Sequence, residues 1–252
     1  MLASAGMFVA LAASCASSPR GAVTQQTGSE TSLSARDTET ASRLSEVRLY
    51  YDAGAFDDAR RELEAIQQAG LSAGLQREVA EWWRRFAEND LYGHRFDLAN
   101  RAFERWMLLT GRSGVDDLET LDDLTLFASI KDRRGDDVVA VAALETLLVR
   151  SEAAEDGDLI AFAHTSLGLR DAFARDLETA AARFDVVIAN YRERDDPIGL
   201  ADALCNRVAV ASFAGDTGLV RTLAAEAMEI YAANGMGERA RNVAALADLP
   251  AP

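Results

Sequence analysis

The stretch Leu177-Glu178-Thr179-Ala180-Ala181-Ala182-Arg183-Phe184-Asp185-Val186-Val187-Ile188 sets apolar residues at 177, 180, 181, 184, 187 and 188. That is the i, i+3, i+4, i+7 spacing of one helix face. Upstream, Phe162, Thr165, Leu167, Gly168 and Leu169 lie in a second helical stretch, and the short polar turn Ala174-Arg175-Asp176 separates the two. The unit is two antiparallel helices tightly joined.

The same grammar recurs. It reads Phe56, Ala59, Leu63, Ile66, then Phe96, Ala99, Phe103, Trp106, then Val138, Ala140, Leu144, Leu147. Ala59, Ala99, Ala140, Ala180 and Val220 mark five copies, separated by 40, 41, 40 and 40 residues. A fixed period of this length is the mark of a solenoid, in which one supersecondary unit stacks on copies of itself. A small residue at the mark is what closely crossing helices require.

These residues resemble the tetratricopeptide repeat (TPR). Leu167-Gly168 supplies its first-helix pair, and Gly54-Ala55-Phe56-Asp57-Asp58-Ala59 its turn and second-helix start, with Leu63 four later. Gly135 and Gly215 hold the turn position in copies three and five, and Trp83 and Phe86 fill large first-helix positions in copy two. Copy five departs, with Thr217 and Val220 where an aromatic and Ala belong. The period is similar to the longer TPR subclass of kinesin light chains and bacterial signalling ATPases, as is the segment 191–206. The resemblance implies an all-α fold: a right-handed α-α superhelix of about five hairpins, at 40–73, 80–113, 121–154, 161–194 and 201–234, with a cap helix at 237–249. It also implies a partner protein or peptide along a concave groove lined by first helices. In the family register that groove holds Arg48, Tyr51, Arg84, Arg85 and Glu88, then Thr125, Ser129, Asp132 and Arg133. At its C-terminal end it holds Phe162, Thr165, Leu169, Phe173, Asn206, Ala209 and Phe213. The alternative reading of Phe162, Phe173 and Phe213 is packing between adjacent repeats. The family's peptide-carboxylate clamp, a Lys and Asn set, is not matched.

The 252 residues are 49% hydrophobic, with a formal net charge of -15 and a pI near 4.6. Such a chain is repelled by phosphate backbones, which argues against a nucleic-acid partner, and by anionic lipid heads apart from a covalent anchor. Lys131 is the sole lysine, a feature read as base composition. The two cysteines, Cys15 and Cys205, fall in regions of different expected roles and are not expected to pair.

Residues 2–13 form an apolar run of signal-peptide length, too short for an ordinary membrane span. Leu11-Ala12-Ala13-Ser14-Cys15 resembles a bacterial lipobox, which makes Cys15 a lipidation site and residues 1–15 the signal segment. Ala12 in place of Leu, and the lack of Lys or Arg ahead of the run, depart from that pattern; a start upstream of Met1 would account for the second departure. Cleavage after Ala16 by ordinary signal peptidase is the rival. Residues 16–39, rich in Ser, Thr, Gly and Gln, read as a flexible tether.

Nucleophile elbows, phosphate loops, zinc helices, dinucleotide glycines and calcium loops are all missing from the sequence. No catalytic residue, metal, cofactor or small-molecule substrate is expected. His94 stands at a turn and His164 at a packed first-helix position; both read as structural, as do Trp82 and Trp83. Asp136, Asp176 and Asp216 fall where a side chain caps a helix, and Asp156-Gly157-Asp158 reads as a turn before one. The expectation is a non-enzymatic adaptor or scaffold, a lipid-anchored bacterial envelope protein facing the periplasm, or a secreted one. The alternative is a soluble cytoplasmic TPR regulatory protein with a mis-assigned N-terminus.

Overall fold

The computed structural model describes residues 35–248; Cys15, the signal segment, residues 16–34 of the expected tether and Leu249 of the cap lie outside them. Among the described residues the fold is all-α, a run of helical repeats with eleven α-helices, one 3₁₀ turn and no strand. The helices are α1 (Ala35–Asp52), α2 (Phe56–Gln68), α3 (Ala73–Tyr92), α4 (Phe96–Thr110), α5 (Leu121–Arg134), α6 (Asp137–Ala153), α7 (Gly157–Phe173), α8 (Leu177–Glu193), α9 (Pro197–Ala214), α10 (Thr217–Ala233) and α11 (Gly237–Leu246). Helix α1 thus begins five residues ahead of the expected 40, and α11 stops at Leu246 rather than 249.

One turn recurs along the chain and explains the period. In the α7–α8 connection Ala174 caps the first helix, Arg175 takes a left-handed φ of 67°, and Asp176 opens the next helix. The Asp176 amide donates back to the Asp171 carbonyl at 2.9 Å, while its carboxylate accepts from the Thr179 amide. The C-terminal cap of one helix and the N-terminal cap of the next are thereby fused into three residues. Seventeen helical residues and three turn residues make a twenty-residue module. Left-handed residues fall at that interval without a break: Gly135, Glu155, Arg175, Asp195, Gly215 and Gly235. The residue after five of them is Asp, at 136, 156, 176, 196 and 216. Asp156, Asp176, Asp196 and Asp216 each accept from amides in the first turn they cap. The 40-residue spacing is two such modules. Gly54 and His94 (φ 57°) take the same turn conformation nearer the N-terminus.

The described chain divides within α6, between Ala140 and Val141, into two compact units. In the unit spanning 35–140, α1 packs on α2, α3 on α4, and α1, α3 and α5 meet in sequence. Its core is aromatic. Trp83, Phe86 and Phe103 are wholly enclosed, and Phe103 lies 4.9 Å from Trp106 and 5.5 Å from Phe127, ring centre to ring centre. The connection from α4 to α5 is longer than the repeated turn. It holds the 3₁₀ turn Val115–Asp117, where the Asp117 carboxylate accepts from the Ser113 amide and hydroxyl.

In the unit spanning 141–248, successive helices pack on their chain neighbours: α7 on α8, α8 on α9, α9 on α10 and α10 on α11, with α7 also touching α9. The core here is leaner: Ala161, Ala201, Ala224 and Ala227 cluster with Leu204 and Tyr231, and Phe184 packs separately with Ala172, Ala180 and Val210. Small residues let these helices approach. A Cβ added at Gly168 would stand 3.2 Å from the Phe184 ring, so the Leu167-Gly168 pair is where α7 meets α8. Of the marked residues, Ala59, Ala99, Ala140 and Ala180 are fully buried, and Val220 is half-buried. Val138, expected on the third copy's apolar face, is 85% exposed: it sits one residue inside α6, on the turn side of Ala140.

Candidate functional site

Two faces carry the residues singled out from the sequence, one in each unit. In the first unit, α1, α3 and α5 pack side by side. Tyr51 stands edge-on to Phe56, Trp82 and Phe86 at 5.2, 5.4 and 5.3 Å. Burial, then the nearby Glu88 carboxylate, raises its hydroxyl above the usual tyrosine range. Tyr51 is therefore half core, not an open groove residue. Arg84 is also engaged: its Nε donates to Asp123 Oδ1 and its Nη1 to Glu88 Oε1, both at 2.6 Å. That pair bolts α3 to α5 and leaves the Arg84 side chain only 21% exposed. Arg85 is different. It is exposed, its guanidinium lies 5.0 Å from the centre of the Trp82 ring, and it makes no ion pair among the described residues. Arg48 is exposed with Asp52 at 3.7 Å, and Ser129 is half-buried. Arg133 points elsewhere: with Arg134, His94, Arg95 and Asp97 it lines a shallow depression at the start of α4.

Trp82 and Trp83 are both buried. Further along α3 lies a charge cluster that no sequence motif announces. The Asp90 carboxylate, fully enclosed, accepts from Arg60 at 2.6 Å and from Arg95 at 2.9 Å. Lys131 is buried as well, donating to Asn100 Oδ1 at 2.6 Å.

In the second unit Phe162, Thr165, Asn206 and Ala209 are half-buried, and Leu169 packs against Ala172, Ala180, Phe184 and Val210. Phe173 is 68% exposed at the end of α7. Phe213 is 39% exposed, and the Arg175 guanidinium lies 5.0 Å from its ring centre. In the sequence Arg175 reads only as a turn residue. The signal for more is its place: a cation stands where Gly135 and Gly215 stand in neighbouring copies.

His164 and Cys205 have packed surroundings. His164 has a buried Nδ1 without a hydrogen-bond partner among the described residues, and burial, then the Arg183 charge, lowers its pKa below the usual 6.5. Cys205 is a free thiol 3.8 Å from the Tyr231 hydroxyl, which donates to Asp202; Arg239 donates to the same carboxylate at 3.1 Å. Burial pushes the Cys205 thiol up to about 11. Among the described residues no group of three His, Cys, Asp or Glu side chains is placed to hold a metal ion. No described helix is long and apolar enough to cross a membrane.

No protein-family model matches the chain, and no curated protein matches it. Among solved structures it is similar to BtubC (BKLC) from P. vanneervenii, with a TM-score of 0.47 and 17% identity over 86% of this chain and 91% of that one.

Proposed function

We propose that the protein is a non-enzymatic TPR adaptor whose hairpins, five with a cap helix, stack as a right-handed superhelix and present their first helices to a partner protein. The observation that carries this reading is the unbroken twenty-residue interval of left-handed turn residues from Gly135 to Gly235, which supports a stacked array. The first-helix faces suit protein recognition: Arg85 on Trp82 in one unit and Arg175 on Phe213 in the other are stacked cations without ion-pair partners among the described residues. Aromatic residues and arginine are the side chains that dominate protein interfaces. The lipobox-like Leu11–Cys15 segment supports a tethered form in a bacterial envelope, with Cys15 acylated.

Photo-cross-linking in cells tests the adaptor. A photoreactive residue at Arg85, Ser129 or Asn206 is expected to capture one and the same protein, and at Glu145 on the second helix α6 none. Equal capture from both faces, or none from the first, contradicts the reading. Radiolabelled fatty acid incorporated by the wild type and lost in Cys15→Ser tests the anchor separately.

A further inference from the structure

We propose that Phe173, Arg175 and Phe213 form a docking site for a linear protein segment carrying a side-chain carboxylate beside a large apolar side chain. The proposal rests on the adaptor reading and names the chemistry of the partner at one end of it.

Phe173 and Phe213 occupy equivalent places on α7 and α9, each two residues ahead of a left-handed turn residue. Both rings are exposed in an otherwise alanine-rich unit. Between them in sequence, Arg175 stacks on Phe213. Arg175 is exposed, and a guanidinium set against a ring still has N–H donors with which to take a carboxylate bidentately. The guanidinium has no ion pair or side-chain hydrogen bond among the described residues, although the chain has 41 Asp and Glu against 26 Lys and Arg. The neighbouring carboxylates are engaged: Asp176 caps α8, Asp216 caps α10, and Asp171 accepts from Arg183 at 2.6 Å. Arg175 also holds a conformation that costs a side-chain-bearing residue energy, at a position where glycine serves the neighbouring copies. A single guanidinium edge matches one acidic side chain, and the exposed rings match the apolar residue next to it.

The strained turn supplies a clean test. Arg175→Gly removes the cation and relieves the backbone, so lost binding cannot be ascribed to unfolding. Glu155→Gly relieves an equivalent turn and leaves the cation in place. The probe is an acetylated, amidated peptide containing Glu-Leu-Phe-Asp, compared by fluorescence anisotropy on the full chain with its Gln-Leu-Phe-Asn counterpart. Wild type and Glu155→Gly are expected to prefer the acidic peptide by about tenfold. Arg175→Gly is expected to lose that preference while its Tm rises. Equal binding of the two peptides by wild type, an unchanged preference in Arg175→Gly, or no binding of either peptide at millimolar concentration overturns the proposal. So does a preference confined to a neutral peptide with a free C-terminal carboxylate. Any of these outcomes with persistent in-cell capture from Arg85 leaves the adaptor reading standing and removes only this site.

Discussion

The Arg60 guanidinium donates to the Asp90 carboxylate at 2.6 Å, and the Asp90 side chain is wholly shielded from solvent. The bond ties α2 to α3, and Arg95, at the turn that follows α3, holds the other carboxylate oxygen. Removing one member of a buried pair strands the other charges. Asp90→Ala is expected to destabilise the 35–140 unit by about 3 kcal/mol. Arg95→Ala, whose side chain is 41% exposed, is expected to cost less than about 1 kcal/mol. Urea unfolding of the two variants checks the order; equal losses would mean that Asp90 is held by solvent-accessible charge alone.

The repeated turn makes opposite demands at glycine and non-glycine positions. Gly215 has a φ of 78°, with nothing within 4 Å of an added Cβ, so Gly215→Ala tests backbone strain without a clash. It is expected to cost about 1 kcal/mol, and Glu155→Gly, at φ 54°, to gain a comparable or smaller amount. Thermal unfolding reads both signs. A stabilising Gly215→Ala would show that the left-handed turn is not required.

His164 gives the 141–248 unit a pH dependence whose sign follows from its lowered pKa. The folded state binds the proton less readily than the unfolded chain. The contribution to stability is therefore in full at neutral pH, and is lost as pH falls through the ordinary histidine value of 6.5 toward the lower folded value. Arg183, on α8, adds to the cost of a second positive charge, and Glu152, on α6, offsets part of it. His164→Leu is expected to flatten unfolding free energy against pH over that interval; an unchanged slope would assign the dependence to other groups.

Cys205 is expected to be a poor nucleophile in the folded chain. With its thiol pushed up to about 11, little thiolate exists at neutral pH, and burial restricts access. Alkylation by iodoacetamide, followed by mass spectrometry, should be slow in buffer and fast in denaturant. Fast modification of the native protein would mean that the Cys205–Tyr231–Asp202 cluster opens readily.

Apolar spacing alone locates α8 and, from it, the whole helical register, because the positions that must be buried are fixed by helix geometry. Leu177 to Ile188 and the marks from Ala59 to Ala180 are where that register meets the core. The half-period is less visible. The marks sit only on second helices, so Asp136, Asp176 and Asp216 stand out while Asp196 does not, although all obey the same turn. Side-chain partners are least legible. Nothing in local sequence says that Arg84 reaches Asp123, 39 residues on, or that Asp90 lies between Arg60 and Arg95. Those pairings depend on how helices pack, and a helical register cannot distinguish Arg85, which makes no ion pair among the described residues, from the ion-paired Arg84 beside it.

The central claim is that in the 141–248 unit each helix is held mainly by the helices next to it in the chain and not by a common centre, as the packing of α7 through α11 indicates. Native-state hydrogen exchange with mass spectrometry tests it most directly. Nearest-neighbour stacking predicts opening free energies that are highest in α8 and α9 and fall stepwise through α10 to α11. A single opening free energy shared by every helix from α7 to α11 would contradict it.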